Sequence, residues 1–134
     1  DAWSRKIVGA NIGDSLEAEG CLAALETALA DLPGGKCPVH HSDRGSQYAC
    51  HLYVGRLRER GLPVSMTEAM HCYENAMAER VNGILKQEYG LGMTFRTKKQ
   101  AVAAFEQAVW IYNHRRPHTS LNYRFPADVH AGVA

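Results

Sequence analysis

Two acidic side chains, Asp43 and Glu79, stand where a carboxylate can serve as a metal ligand, with 35 residues between them. Asp43 follows the short run Cys37-Pro38-Val39-His40-His41 and lies in the turn-like stretch Ser42-Asp43-Arg44-Gly45-Ser46, which puts it at the C-terminal end of a predicted strand. Glu79 falls in a stretch of helical periodicity. At about 100° per residue, Met77, Val81, Ile84 and Leu85 share one arc, and Asn75, Glu79, Asn82, Gly83 and Lys86 share the opposite one. A carboxylate, two amides, a glycine and a lysine suit a metal ion and a phosphodiester, because magnesium takes oxygen ligands and is commonly held by one or two carboxylates with phosphate and water. Two such ions about 3.5–4 Å apart can activate a water or a 3′-hydroxyl on one side of a phosphorus and stabilise the oxygen departing on the other. An ordinary solvated face accounts for the same helix residues, and a turn-stabilising Asp accounts for Asp43. Spacing alone leaves both readings open.

The elements that must position these residues alternate in type. Arg5 to Ile12 reads as a strand with no preceding turn, cap or initiator methionine, as expected at a fragment boundary. Asp14 with Glu17 three residues on gives a capping-box-like start to a helix bearing Leu22, Leu25, Leu29 and Leu32, and Pro33-Gly34-Gly35 ends it. Cys37 to His41 reads as a strand, Tyr48 to Arg60 as a helix stopped at Gly61, and Leu62 to Met66 as a short strand in which Pro63 argues for an edge position. A further helix runs from near Asn75 to Gly90, and a last one from Thr97, paired with Gln100 as a capping box, to about Asn113. Phe105, Trp110 and Tyr112 on this helix read as core residues rather than base-stacking platforms. From Arg115 onward, with Pro117 and Pro126, the chain reads as extended on the surface. Strands separated by helices indicate an α/β domain, divided into 1–114 and a C-terminal extended segment, 115–134, of the same domain.

A chain of 134 residues is one domain's worth and can bury a conventional core. Cys21, Cys37, Cys50 and Cys72 are scattered singly, with no secretory signal and no run of about 18 apolar residues, so the reading is a cytoplasmic protein with reduced thiols and no membrane partner. Cys37, His40, Cys50 and His51 offer four possible zinc ligands. Neighbours on a helix point about 100° apart, however, and Cys50 and His51 suit tetrahedral closure poorly. The formal net charge of +1 conceals an uneven distribution: Arg80 to Arg124 holds eight Lys and Arg against two acids, and the remainder seven against twelve. A basic C-terminal half suits a polyanion, and a solvated helix face suits it as well.

Four blocks of sequence resemble one family, the insertion-sequence transposases that share a catalytic core with retroviral integrases. D-A-W-S-R-K-I-V-G (Asp1–Gly9) is similar to that family's turn and third strand, and H-S-D-R-G-S-Q-Y (His41–Tyr48) to the block holding its second catalytic Asp, here Asp43. C-Y-E-N-A-M-A-E-R-V-N-G-I-L-K-Q-E (Cys72–Glu88) resembles the block holding the catalytic Glu, here Glu79, and Y-N-H-R-R-P-H-T-S-L-N-Y-R-F-P (Tyr112–Pro126) the C-terminal signature. The 35-residue spacing matches the last two members of the family's Asp, Asp, Glu triad. Glu74 departs from it, standing where an Asp is usual; either acid can assist a helix N-terminus.

The resemblance implies a ribonuclease-H-like integrase catalytic core, a mixed five-stranded sheet flanked by helices, here N-terminally truncated with the first strand and most of the second absent. The first catalytic Asp of the family belongs to that first strand, and neither Asp1, Asp14 nor Asp31 matches it. Losing a central strand leaves unpaired backbone edges, so the chain is expected to fold poorly alone in the family's manner, and either to rearrange, to pair edges with another copy, or to be a remnant whose upstream portion is not included. By resemblance Asp43 and Glu79 are the catalytic metal ligands, holding Mg2+ or Mn2+, with two ions in a complete site. Asn75, Asn82, Lys86, Arg115, Arg116 and His118 are the expected DNA contacts, although a structural bracket pinning the tail explains Arg115, Arg116 and His118 equally well. The implied activity of the parent protein is cleavage of transposon ends and strand transfer to target DNA, by a homo-oligomer that is nucleoid-associated when bound. The alternative is a catalytically inactive module that binds DNA or associates with intact transposase.

Overall fold

A computed structural model describes residues 1–15, 17–68 and 75–133. The expectations at Cys72 and Glu74 lie outside the described residues. In chain order the elements are α1 (Ala18–Ala30), β1 (His40–Ser42), α2 (Ser46–Ala49), α3 (His51–Glu59), β2 (Val64–Met66), α4 (Ala76–Gln87), α5 (Lys98–His114), a 3-10 turn (Thr119–Leu121) and α6 (Pro126–Ala131). They group into two compact units: Gly9–Ala78, and Asp1–Val8 together with Glu79–Ala134.

In the first unit α1, α2 and α3 enclose a core of Leu25, Leu29, Tyr53, Leu57 and Leu62, with Cys21, Leu22, Leu32, Tyr48 and Cys50 packed round it. The leucine spacing of α1 thus buries the expected stripe. Beside this core β1 and β2 run parallel in the register His40↔Val64, His41↔Ser65, Ser42↔Met66. The pairing extends by one bond at each end, from His40 N–H to the Pro63 carbonyl (2.8 Å) and from Thr67 N–H to that of Ser42 (3.0 Å). Among the described residues the sheet has these two strands, fewer than the five that the resemblance implies. Burial pushes the Tyr53 phenol up to about 12, so it stays a neutral hydroxyl, 3.0 Å from His40 Nε2.

Several boundaries differ from the sequence reading. Helix α1 begins at Ala18, with Glu17 at the N-cap and no side-chain cap among the described residues, so the Asp14–Glu17 box does not start it. The strand predicted over 37–41 is displaced to His40–Ser42, because pairing with Val64–Met66 decides which backbone groups are matched. The predicted single helix from Tyr48 breaks at Cys50, whose extended backbone (φ −71°, ψ 154°) ends α2 and opens α3.

In the second unit the packing is between α5 and the tail. Ala108 and Tyr112 on α5, one turn apart, are buried, as are Leu121, Pro126 and Val129 of the tail. The 115–134 segment, read from sequence as extended, forms instead an antiparallel bridge between His118 and Arg124, the 3-10 turn and α6. Pro126 starts α6 at a position where its missing N–H costs nothing. Thr97 caps α5 as expected, its hydroxyl oxygen accepting from Gln100 N–H at 3.2 Å. Trp110 departs from the reading as core: it is 51% exposed against 1% for Tyr112, since two residues along a helix turn a side chain about 200° away.

The largest departure is at the start. Arg5 to Ile12 forms no strand among the described residues. Asn113, buried at the end of α5, takes the place of a neighbouring strand: its Oδ1 accepts from Ile7 N–H (2.9 Å) and its Nδ2 donates to the Ile7 carbonyl (3.0 Å). Ser4, fully buried, is held between Asp1 Oδ1 (2.9 Å) and His130 Nδ1 (3.0 Å). These contacts satisfy backbone and hydroxyl groups that no ladder serves.

Candidate functional site

Asp43 follows β1 directly, the position at which parallel strands deliver side chains to a binding crevice. Its carboxylate is oriented from both sides: Oδ1 accepts from Gly45 N–H at 2.9 Å, an Asx turn, and Oδ2 from Asn75 Nδ2 at 3.4 Å. Each oxygen keeps a lone pair beyond these bonds and can still bind a cation. A Cβ at 45 would lie 2.9 Å from Asp43 Oδ1, so a side chain there would displace that carboxylate oxygen. Arg44 locks the turn to the end of β2, its Nε donating to the Thr67 carbonyl at 2.7 Å.

Helix α4 carries the other residues. Glu79, Asn82 and Lys86 are exposed, and Ile84 on the opposite side is buried, so the division of faces holds. Val81 and Leu85 are half-buried and Met77 is 49% exposed. Asn75, an expected DNA contact, immediately precedes the helix and lies within hydrogen-bond reach of Asp43. Asp43 belongs to the Gly9–Ala78 unit and Glu79 opens the helical part of the other.

The C-terminal signature divides. Arg115 is exposed, its guanidinium 5.7 Å from the centre of the Trp110 ring, against which His114 stacks at 5.0 Å. Arg116 pairs with Glu88 through two bonds of 2.9 Å. Those bonds hold Glu88 below the usual carboxylate range and raise the Arg116 guanidinium further. His118 meets Tyr112 edge-on at 5.1 Å, and its Nε2 is buried with no partner among the described residues. Burial first, and Arg116 second, push its pKa down.

Gly45, Thr67 and Glu88 were not singled out from sequence. An Asp-x-Gly turn could have flagged Gly45, but no local signal joins Glu88 to Arg116, 28 residues on. Among the described residues no group of three or more His, Cys, Asp or Glu is placed to hold a metal ion. The Asp43 carboxylate, held beside the Asn75 amide, offers hard oxygen donors of the kind a divalent cation takes.

The fold so described has a close counterpart in a solved structure. A chain of a simian T-cell lymphotropic virus intasome, in complex with the PP2A regulatory subunit B56 gamma, matches 88% of this chain with a TM-score of 0.69 at 19% identity, over 41% of its own length. That is the ribonuclease-H-like integrase core. Two models of the integrase core domain match, over residues 1–72 and 60–126, and the chain belongs to that family. Its curated relatives include insertion-sequence transposases. The transposase of IS629 from Shigella sonnei is 38% identical over 129 residues, 96% of this chain and 43% of that protein. The putative transposase of IS986/IS6110 from Mycobacterium tuberculosis is 34% identical over 125 residues, 87% and 44%. The transposase of IS904 from Lactococcus lactis is 31% identical over 133 residues, 96% and 51%. The chain thus spans about half the length of the relatives it matches, or somewhat less.

No helix among the described residues is long and apolar enough to cross a membrane.

Proposed function

We propose that this chain is part of the core of a DNA transposase, in which Asp43 and Glu79 are catalytic ligands of Mg2+ or Mn2+ and the exposed face of α4 receives the DNA backbone. The observation that carries the reading is the Asp43 carboxylate, fixed at a strand's C-terminal end by Gly45 and Asn75 with lone pairs to spare. Asn75 directly precedes the helix of Glu79, four residues and so about 6 Å of helical rise before it. Family membership adds the expectation of a third acid, borne on a strand outside the described residues. When bound, the metal pair supplies a cationic site for the attacking and departing oxygens. The chain's own residues do the rest: Asp43 and Glu79 bind through oxygen, Asn75 orients Asp43, and Asn82 and Lys86 bind the phosphodiester, with Arg115 as a further phosphate contact. On this reading the protein acts on transposon ends and target DNA as a homo-oligomer.

The test uses the full-length protein that carries this chain. Asp43→Asn and Glu79→Gln are each expected to abolish magnesium-dependent cleavage of transposon ends and to leave end binding intact. Normal cleavage by either variant removes that residue from the metal site. Salt-dependent DNA affinity with no cleavage by the unaltered full-length protein would favour the non-catalytic module instead.

A further inference from the structure

The ion pair between Arg116 and Glu88 joins the C-terminal signature to the helix of Glu79. Arg116 Nε and Nη2 meet Oε2 and Oε1 of Glu88 at 2.9 Å each. A parallel fork of this kind fixes orientation as well as distance. Glu88 continues the helical bonding of α4, its N–H donating to the Ile84 carbonyl at 2.8 Å. Its Oε1 also lies 4.0 Å from Arg80 Nη2, on the residue next to Glu79. On the other side Arg116 closes α5, its N–H donating to the Ile111 carbonyl at 3.1 Å, so the guanidinium is carried on the end of a 17-residue helix.

Recruiting this guanidinium to a phosphate would break two charge-assisted bonds and turn the Glu88 carboxylate towards another anion. Geometry therefore favours the bracket over the phosphate contact. Resting on the reading of Glu79 as a metal ligand, we propose that Arg116 is a positioning residue: through Glu88 it sets the tilt of α4 and with it the location of the Glu79 carboxylate. Glu88 stands nine residues after Glu79, about 13.5 Å along a helix, so a tilt of about 4° moves Glu79 by about 1 Å. Misplacement of that size costs about 10²-fold in rate.

The experiment compares Arg116→Gln, Glu88→Gln, the charge-swapped double variant Glu88→Arg/Arg116→Glu and Glu79→Gln in the full-length protein. It reads the cleavage rate at saturating transposon-end DNA, the Kd for that DNA against salt, and thermal unfolding as a check that each variant is folded. Arg116→Gln and Glu88→Gln are each expected to slow cleavage by about 10- to 100-fold, with Kd changed less than about threefold and the salt slope unaltered. The swapped pair is expected to recover part of the rate. Glu88→Gln decides the matter even if the swap does not fold, because it frees Arg116: a phosphate-contacting arginine so released would bind DNA at least as tightly and leave the rate intact. That result, or a salt slope reduced by about one in Arg116→Gln, overturns the proposal. Normal cleavage by Glu79→Gln overturns instead the reading on which it rests.

Discussion

Each compact unit has to satisfy a piece of extended backbone, and the two do it differently. In Gly9–Ala78, the strand that ends beside Asp43 is paired with Val64–Met66 and flanked by the His40–Pro63 and Thr67–Ser42 bonds, so several main-chain groups share the load. In the unit that contains Asp1–Val8, the N–H and carbonyl of Ile7 both depend on the amide of Asn113. A ladder spreads its stabilisation over residues of almost any type, because backbone does the bonding. A side-chain clamp concentrates it in one residue whose chemistry cannot change. The strand that ends beside Asp43 accordingly rests on backbone alone, whereas both main-chain groups of Ile7 rest on one side chain of α5.

Asn113→Ala is therefore expected to have the largest effect. It strands two backbone groups, each costing about 1–3 kcal/mol when buried and unpaired. Because Ile7 is only half-buried, the loss should fall near the low end, about 2–3 kcal/mol, measured by urea unfolding. Asn113→Asp should be as damaging, since a carboxylate can accept from Ile7 N–H but repels its carbonyl. If Asn113→Ala costs no more than Ser65→Ala, in the middle of β2, the distinction between clamp and ladder disappears. Gly9→Ala comes next. A Cβ at 9 would overlap the Ala24 carbonyl oxygen and stand 2.9 Å from Ala28 Cβ, so the segment has to move off α1. Overpacking of this kind costs about 1–3 kcal/mol. An alanine variant as stable as the parent would mean that residues near Gly9 are held less firmly than the clamp requires.

The same contrast explains what could be read from the amino-acid sequence. Helices α4 and α5 were legible because burial of Ile84 and Tyr112 follows a local period and Thr97 caps locally. Asp43 at a strand end was legible because a turn follows it within three residues. Arg5–Ile12 misled, for a run of β-branched and apolar residues states a preference for extended backbone but not which partner satisfies it. That partner, Asn113, lies 106 residues away. The tail misled in the same way. Pro117 and Pro126 signal breaks, but Val129 reaches its buried place because α6 packs on α5. A bracket pinning the tail was one of two equal readings for Arg116, but nothing local named Glu88, 28 residues away, as its partner.

The smallest expected effect sharpens the comparison through pH. His40 in one unit and His118 and His130 in the other all sit below the ordinary histidine value, in each case first because burial disfavours the imidazolium. For His118 the nearby Arg116 adds to the shift, and for His130 Lys6 does. A histidine whose folded pKa is depressed binds its proton first in the unfolded chain. Its contribution is thus fully present above about pH 6.5, the ordinary histidine value, and is lost as pH falls from there through the lower folded pKa. The unfolding free energy should therefore decline between pH 7.5 and 5.5. His40→Gln, which leaves the ladder's backbone bonds in place, should remove part of that slope without a large loss at pH 7.5. His118→Gln should remove a separate part, because its Nε2 is buried without a partner among the described residues and gains nothing from a second proton. A slope unchanged in both variants would mean that neither ring is shielded as its surroundings imply, and would move the acid sensitivity to His130 and its bond to Ser4.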